Sequence, residues 1–202
     1  MKHALHAEGF GVRLRPVRME DAAFIVWLRN LDHAKGKVGD SATDVTAQET
    51  WLKAYFTREG DYYFIAETVG GIPVGTYGIY NVEKTSAEPG RWIMHPEVPA
   101  AIPCVILALD LAFHEMKLTL LCGMTVATNE KVLSLNRKLG FRQVRVEPGG
   151  RAISGRAVDM VHFILKPEDW VKARERLVPL AQVAEIQVRD WEKVQLKNRR
   201  PQ

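Results

Sequence analysis

Residues 129–141 read Asn-Glu-Lys-Val-Leu-Ser-Leu-Asn-Arg-Lys-Leu-Gly-Phe. Asn129 has a short side-chain oxygen suited to accept from the open N–H groups of a first helical turn. Gly140 takes left-handed backbone with no Cβ penalty, which suits the position just past a helix end. The spacing therefore predicts a helix from Asn129 to Leu139. Strand-like runs flank it, Thr119 to Thr128 before and Phe141 to Glu147 after. Another such run, Arg156 to Leu165, follows Pro148-Gly149-Gly150, which predicts a turn.

Upstream, Ala100 to Met116 is an apolar helix interrupted by Asp110, too short to span a bilayer. Glu88 to His95 reads as a strand. Tyr62 to Val69 and Ile72 to Val82 flank Gly70-Gly71, the pattern of a β-hairpin. Val12 to Val17 alternates as a strand, and residues 18–30 follow as a helix with Glu20 and Asp21 in its first turn. Residues 31–45 are a polar loop. Thr46 and Glu49 then fit a capping box ahead of a helix bearing Trp51, Leu52, Tyr55 and Phe56. Downstream, Glu168 to Val178 is helical, Pro179 is read as a break, and Leu180 to Leu196 forms a second helix. Its apolar face is Leu180, Val183, Ala184, Val188, Trp191 and Val194. Strands and helices do not alternate strictly. The fold class is α+β (mixed α/β): a mostly antiparallel sheet of about seven strands with helices on both faces.

The chain has 202 residues, 47% of them apolar and 26% charged, an ordinary globular balance. A net charge of +4 suits an anionic ligand but is too weak alone to argue for nucleic acid. Cys104 and Cys122 sit in apolar segments and read as buried free thiols, and no Cys/His spacing suggests a metal. Residues 1–11 show no apolar leader, so the expectation is a cytoplasmic protein without a membrane anchor.

Three segments resemble the GCN5-related N-acetyltransferase (GNAT) family. Residues 129–141 resemble its Asn…Leu-x-x-Lys-Leu-Gly-Phe segment. Ala87-Glu-Pro-Gly-Arg-Trp-Ile-Met-His-Pro-Glu97, with the apolar helix ending Leu-Asp-Leu-Ala-Phe113, is similar to the family's fourth strand and third helix. Gly155-Arg-Ala-Val-Asp-Met-Val-His-Phe-Ile-Leu165, followed by a helix with Trp170, is similar to the branch that acetylates nucleotide-linked amino sugars. Trp27-Leu-Arg-Asn30, Gln48-Glu-Thr-Trp-Leu52 and Gly60-Asp-Tyr-Tyr-Phe-Ile-Ala-Glu67 resemble that branch too. The likeness covers residues 12–175. It implies a GNAT acyltransferase domain over residues 1–166 and a helical extension over 167–202, packed on the domain or on a partner.

The resemblance also implies acetyl-CoA as co-substrate. The strand edge Ile93, Met94 and His95 would hydrogen-bond the pantetheine arm. N–H groups of Ala100, Ala101, Ile102 and Cys104 would hold the pyrophosphate at a helix start. Here the chain departs from the family: Val98-Pro-Ala-Ala-Ile-Pro-Cys104 lacks the usual glycines, and Pro99 and Pro103 cannot donate. Asn129 and Asn136 complete the cofactor set. Asn136 stands where many members have a tyrosine that protonates the leaving thiol. An amide is no general acid, so hydrogen bonding to the sulfur or the arm is its reading. Glu88 and His95 are the candidate bases. Arg29, Asn30, Glu67 and Tyr77 are the candidate acceptor contacts, while Trp51, Trp92, Tyr62 and Tyr63 read as core.

The function implied is transfer of an acetyl group to a primary amine, foremost that of a nucleotide-linked amino sugar for surface polysaccharide synthesis. Acetylation of a protein N-terminus and a non-catalytic GNAT-fold module stand as alternatives. The partner is a small-molecule amine, not nucleic acid or membrane, and the apolar C-terminal helix leaves a homodimer open.

Overall fold

The computed structural model describes residues 2–34, 44–153 and 155–198. Eight strands form one sheet in the order β1-β2-β3-β4-β5-β6-β8-β7. They are β1 (Ala7–Gly9), β2 (Val12–Pro16), β3 (Tyr62–Thr68), β4 (Pro73–Glu83), β5 (Ser86–Met94), β6 (Leu120–Val126), β7 (Arg142–Ile153) and β8 (Arg156–Leu165). Every pairing is antiparallel except β5 with β6. The helices are α1 (Ala22–Arg29), α2 (Val45–Thr57), α3 (Ala101–Asp110), α4 (Glu130–Lys138) and α5 (Pro167–Asn198), and α3 runs on into a π-helical turn over Leu111–Glu115.

Strand β3 is buried along Tyr63–Thr68 because helices cover both of its faces. On one side, Ile25 of α1 and Leu52 and Tyr55 of α2 pack with Tyr63 and Ile65. The Tyr55 hydroxyl accepts the Tyr63 N–H at 2.9 Å and ties α2 to the sheet. On the other side, α3 is buried from Pro103 to Leu109 between the sheet and α5, which is why its sequence is apolar on nearly every side.

The helix read between Asn129 and Gly140 is present. Asn129 accepts from the Val132 N–H, and Gly140 has φ +89°. Four expectations change. The sheet has eight strands, because Ala7–Gly9 adds an edge strand through a turn at Phe10 and Gly11, both at positive φ. Asp44, not Thr46, caps α2, accepting from the Ala47 N–H at 2.8 Å; most of the loop read at 31–45 lies outside the described residues. Pro148-Gly149-Gly150 is a bulge inside β7 rather than a turn. An edge strand tolerates the proline's missing donor, and Asp159 accepts the Gly149 N–H at 2.9 Å.

Pro179, finally, does not break α5, a single helix of 32 residues. Its cost of about 3 kcal/mol is outweighed by one buried stripe: Trp170, Ala173, Leu177, Ala181, Ala184 and Val188. Asp110 of α3 accepts from Trp170 Nε1 at 2.8 Å and from Arg174 Nε, anchoring the start of α5. The apolar face read from sequence is split: Ala184 and Val188 are buried, while Leu180, Val183 and Val194 face solvent.

Candidate active site

Strands β5 and β6 pair only at Ser86–Leu120 and Ala87–Leu121. Beyond that point β5 stays with β4, β6 follows β8, and the two diverge. A bulge bends β5: two residues, Arg91 and Trp92, stand opposite the single Tyr77 of β4. Arg91 sits there at φ +50°, and the Thr76 hydroxyl donates to its carbonyl at 2.7 Å. The gap opens a cavity of about 600 Å³ between Pro89–Trp92 and Gly123–Met124. Gly123 leaves it wide, since nothing lies within 4 Å of where a Cβ would stand. On one side Val132, Leu135 and Asn136 of α4, with Leu139 and Phe141, make a largely apolar wall.

The opposite side is cationic and aromatic. Arg29, Arg58 and Arg91 line it, with Gln48, Trp51, Tyr63 and Tyr80, and Arg151 of β7 adds a fourth arginine to the cavity. The Arg91 side chain crosses bare Gly78 and meets Asp61 through both Nη atoms, at 2.5 and 3.0 Å. The rings of Trp51, Tyr63 and Tyr80 stand 5.1, 5.4 and 4.5 Å from its guanidinium. Arg58 lies over Trp51 and reaches Asp61 at 4.0 Å. Among the described lining residues there is no aspartate or glutamate. Burial pushes the Tyr63 and Tyr80 hydroxyls above their ordinary pKa, and nearby Glu88 adds to the shift at Tyr80.

From Gly90 to Trp92 none of the described strands pairs with the β6 side of β5, so the backbone there is open to an extended, amide-bearing arm. The Trp92 indole N–H is shielded from solvent and has no partner among the described residues.

Of the residues read from sequence, Arg29, Tyr77 and Asn136 come together on the cavity wall. Glu88 precedes the wall by one residue and accepts from Asn81 Nδ2 at 3.0 Å. The others lie elsewhere. Glu67, 4% exposed, is held by Arg13 and by Arg15 Nε at 2.7 Å, in a structural network that includes Asp21. Asn30 donates to the Val26 carbonyl at the end of α1. Ile93 packs with Leu28 and Ala34, and the Met94 carbonyl lies 3.1 Å from His33 Nε2.

His95 lies between Trp27 and Trp191, with ring centroids at 5.2 and 5.6 Å, and its Nδ1 accepts the Glu97 N–H. Burial lowers its pKa, which suits a packing residue outside the cavity. Two of the four pyrophosphate donors are already used: Ala100 donates to Val98 O and Cys104 to Ala100 O. Ala101 and Ile102 remain at the front of α3, and the cavity wall does not extend to them. Asn129 is the cap of α4. In sequence, nothing singles out Arg58, Arg91, Arg151 or Tyr80, and Trp51, Trp92 and Tyr63 read as core. The one available signal was a bare glycine inside the apolar run Leu120-Leu-Cys-Gly-Met124.

The family model described as an acetyltransferase (GNAT) domain matches residues 12–142. The chain belongs to this family and is a GNAT-type acetyltransferase. Among solved structures, it is similar to apo FdhC, a nucleotide-linked sugar GNAT, at 22% identity and TM-score 0.71, covering 89% of this chain and 98% of that one. A GCN5-related N-acetyltransferase from Brucella melitensis aligns at 16% identity and TM-score 0.76, covering 89% and 86%. The spermidine N-acetyltransferase SpeG from Vibrio cholerae aligns at 18% identity and TM-score 0.69, covering 81% and 98%. No curated protein sequence matches. None of the described helices is long and apolar enough to cross a membrane.

Proposed function

We propose that the chain acetylates a primary amine on a small anionic acceptor, best matched by a nucleotide-linked amino sugar, with acetyl-CoA as donor. One observation carries this reading: the cavity is lined by four arginines and, among the described lining residues, no carboxylate. A polyamine, with several positive charges, would meet an excess of like charge there. A diphosphate finds guanidiniums able to bind it through charge-assisted pairs, and a planar base finds aromatic faces.

When bound, acetyl-CoA supplies an acyl group activated by a thiol leaving group. The β5 edge at Gly90–Trp92 holds the arm, and the Asn136 amide orients its sulfur end from α4. Glu88, close enough to Tyr80 to raise its pKa, is the carboxylate we assign to take a proton from the incoming ammonium.

A thiol-release assay tests this across nucleotide-linked amino sugars, spermidine and a peptide N-terminus. Turnover is expected with the sugar nucleotides. Preference for spermidine or for the peptide overturns the acceptor assignment. Acetyl-CoA at a hundred times its Kd should stabilise the protein by about 2.7 kcal/mol. Absence of any thermal shift overturns the donor assignment.

A further inference from the structure

We infer that the Tyr77 hydroxyl and the Trp92 indole N–H form a donor pair for a carbonyl oxygen of the acyl-pantetheine arm. This rests on the acetyl-CoA reading above. The two residues face each other across the β5 bulge, with ring centroids 5.9 Å apart, and both line the cavity. Tyr77 is 3% exposed, and none of the described residues hydrogen-bonds its hydroxyl. Trp92 Nε1 is shielded from solvent and without a partner among the described residues, whereas the Tyr77 hydroxyl keeps some access to the cavity. Buried donors in native proteins are nearly always satisfied, and an unmet one destabilises the fold. An unmet indole N–H beside a hydroxyl that has no partner among the described residues marks the place of an absent acceptor.

The chemistry of that acceptor follows from the surroundings. Tyr63 pairs with Gly78, so Tyr63, Gly78 and the arginine side share one face of the sheet, and Tyr77 points to the other. On that face Tyr77 belongs to the apolar core with Leu133, Leu139 and Phe141. Burial also raises the Tyr77 pKa, so its hydroxyl stays protonated and only donates or accepts as a neutral group. An anion would lose hydration there with no cation to replace it. A neutral carbonyl oxygen needs only the two donors, and the arm offers such oxygens at its amides and at the thioester.

Tyr77→Phe and Trp92→Phe test this, each examined by thermal unfolding and by calorimetric binding of acetyl-CoA and of CoA. Without ligand, Tyr77→Phe should melt at or above the wild-type temperature, because the hydroxyl it removes has no partner. With ligand, the acetyl-CoA Kd should rise roughly fivefold in each variant. The double variant should lose less than the product of the two. Loss for acetyl-CoA but not CoA locates the pair at the thioester carbonyl; equal loss locates it at an amide. A wild type that shows no acetyl-CoA shift overturns the cofactor reading and this inference with it. Wild-type binding kept in full by both variants overturns this inference alone, as does a lower melting temperature for ligand-free Tyr77→Phe.

Discussion

Two arginine-rich regions sit on the same sheet and are built to opposite ends. On β2, Arg13 and Arg15 meet Glu67, and Arg15 also meets Asp21 through both Nη atoms at 2.8 and 2.7 Å. Two guanidiniums match two carboxylates, both nearly excluded from solvent. Across the sheet, four arginines line the cavity, and Asp61, the carboxylate that meets Arg91 and Arg58, stands behind the wall rather than on it. The first region is electrically closed and holds β2, β3 and the turn before α1 together. The second presents positive charge to a space large enough for a ligand. Arginine alone marks neither role; the local balance of charge separates them.

The sharpest way to break this comparison is to fill the space. Gly123→Leu adds a side chain where no protein atom lies within 4 Å of the new Cβ, at a backbone angle open to any residue. Acetyl transfer should fall by at least about a hundredfold, with the melting temperature moved by no more than a few degrees. An active variant would place the chemistry outside the splay.

The two arginine regions can then be separated directly. Glu67→Gln leaves Arg13 and Arg15 without their shared buried charge, and stability should drop by about 3 kcal/mol, on the order of 10 °C in melting temperature. The acceptor KM should stay at its wild-type value. Arg58→Met, at a side chain 45% exposed, should do the reverse. Its melting temperature should hold while the acceptor KM rises about tenfold and the acetyl-CoA Kd does not change. A rise in KM for Glu67→Gln, or a loss of stability without one for Arg58→Met, would erase the distinction.

The same contrast explains what could be read before the structure. The helix between Asn129 and Gly140 was legible because a cap and a terminator act on their own neighbours. The hairpin at Gly70-Gly71 was legible for the same reason. Family likeness supplied Arg29, Tyr77 and Asn136 for the cavity wall. It also supplied Glu67, which in sequence looks no different from an acceptor-binding carboxylate. Only the register of β2 against β3, which sets Arg13 opposite Glu67, shows it to be structural. Arg91 was passed over because an arginine in a strand reads as solvent-facing. It takes a one-residue bulge, formed by pairing two distant strands, to lay its side chain across Gly78 toward Asp61. The helix-start donors are legible only in part: sequence counts N–H groups, but the turn at Val98–Ala100 consumes one of them locally and leaves Ala101 and Ile102. Pro179 was misjudged because local propensity cannot see the buried stripe that α3 offers to α5.

The smallest effect concerns a third basic group behind the arginine side. The N-terminal segment lays Lys2 against α2, where its ammonium donates to the Tyr55 carbonyl at 3.0 Å and feels Asp61, Arg58 and Arg91. Next to it, the His3 ring packs on Tyr62 and Phe64 with neither nitrogen bonded to a described residue. Burial lowers its pKa to about 4, with neighbouring Lys2 acting in the same direction. Between pH 6.5 and 4 the unfolded chain therefore binds a proton at His3 that the folded chain refuses. Stability from this group is complete above that window and is lost as pH falls through it. Solvent still reaches the ring and screens the effect, so the loss should be about 1 kcal/mol. Denaturant titrations at several pH values should show wild type weakening from pH 6.5 to 4 by that much more than His3→Phe. Parallel profiles would mean that the ring accepts its proton in place. The segment would then be no part of the closed region, and the boundary between scaffold and site would have to be drawn inside Tyr55.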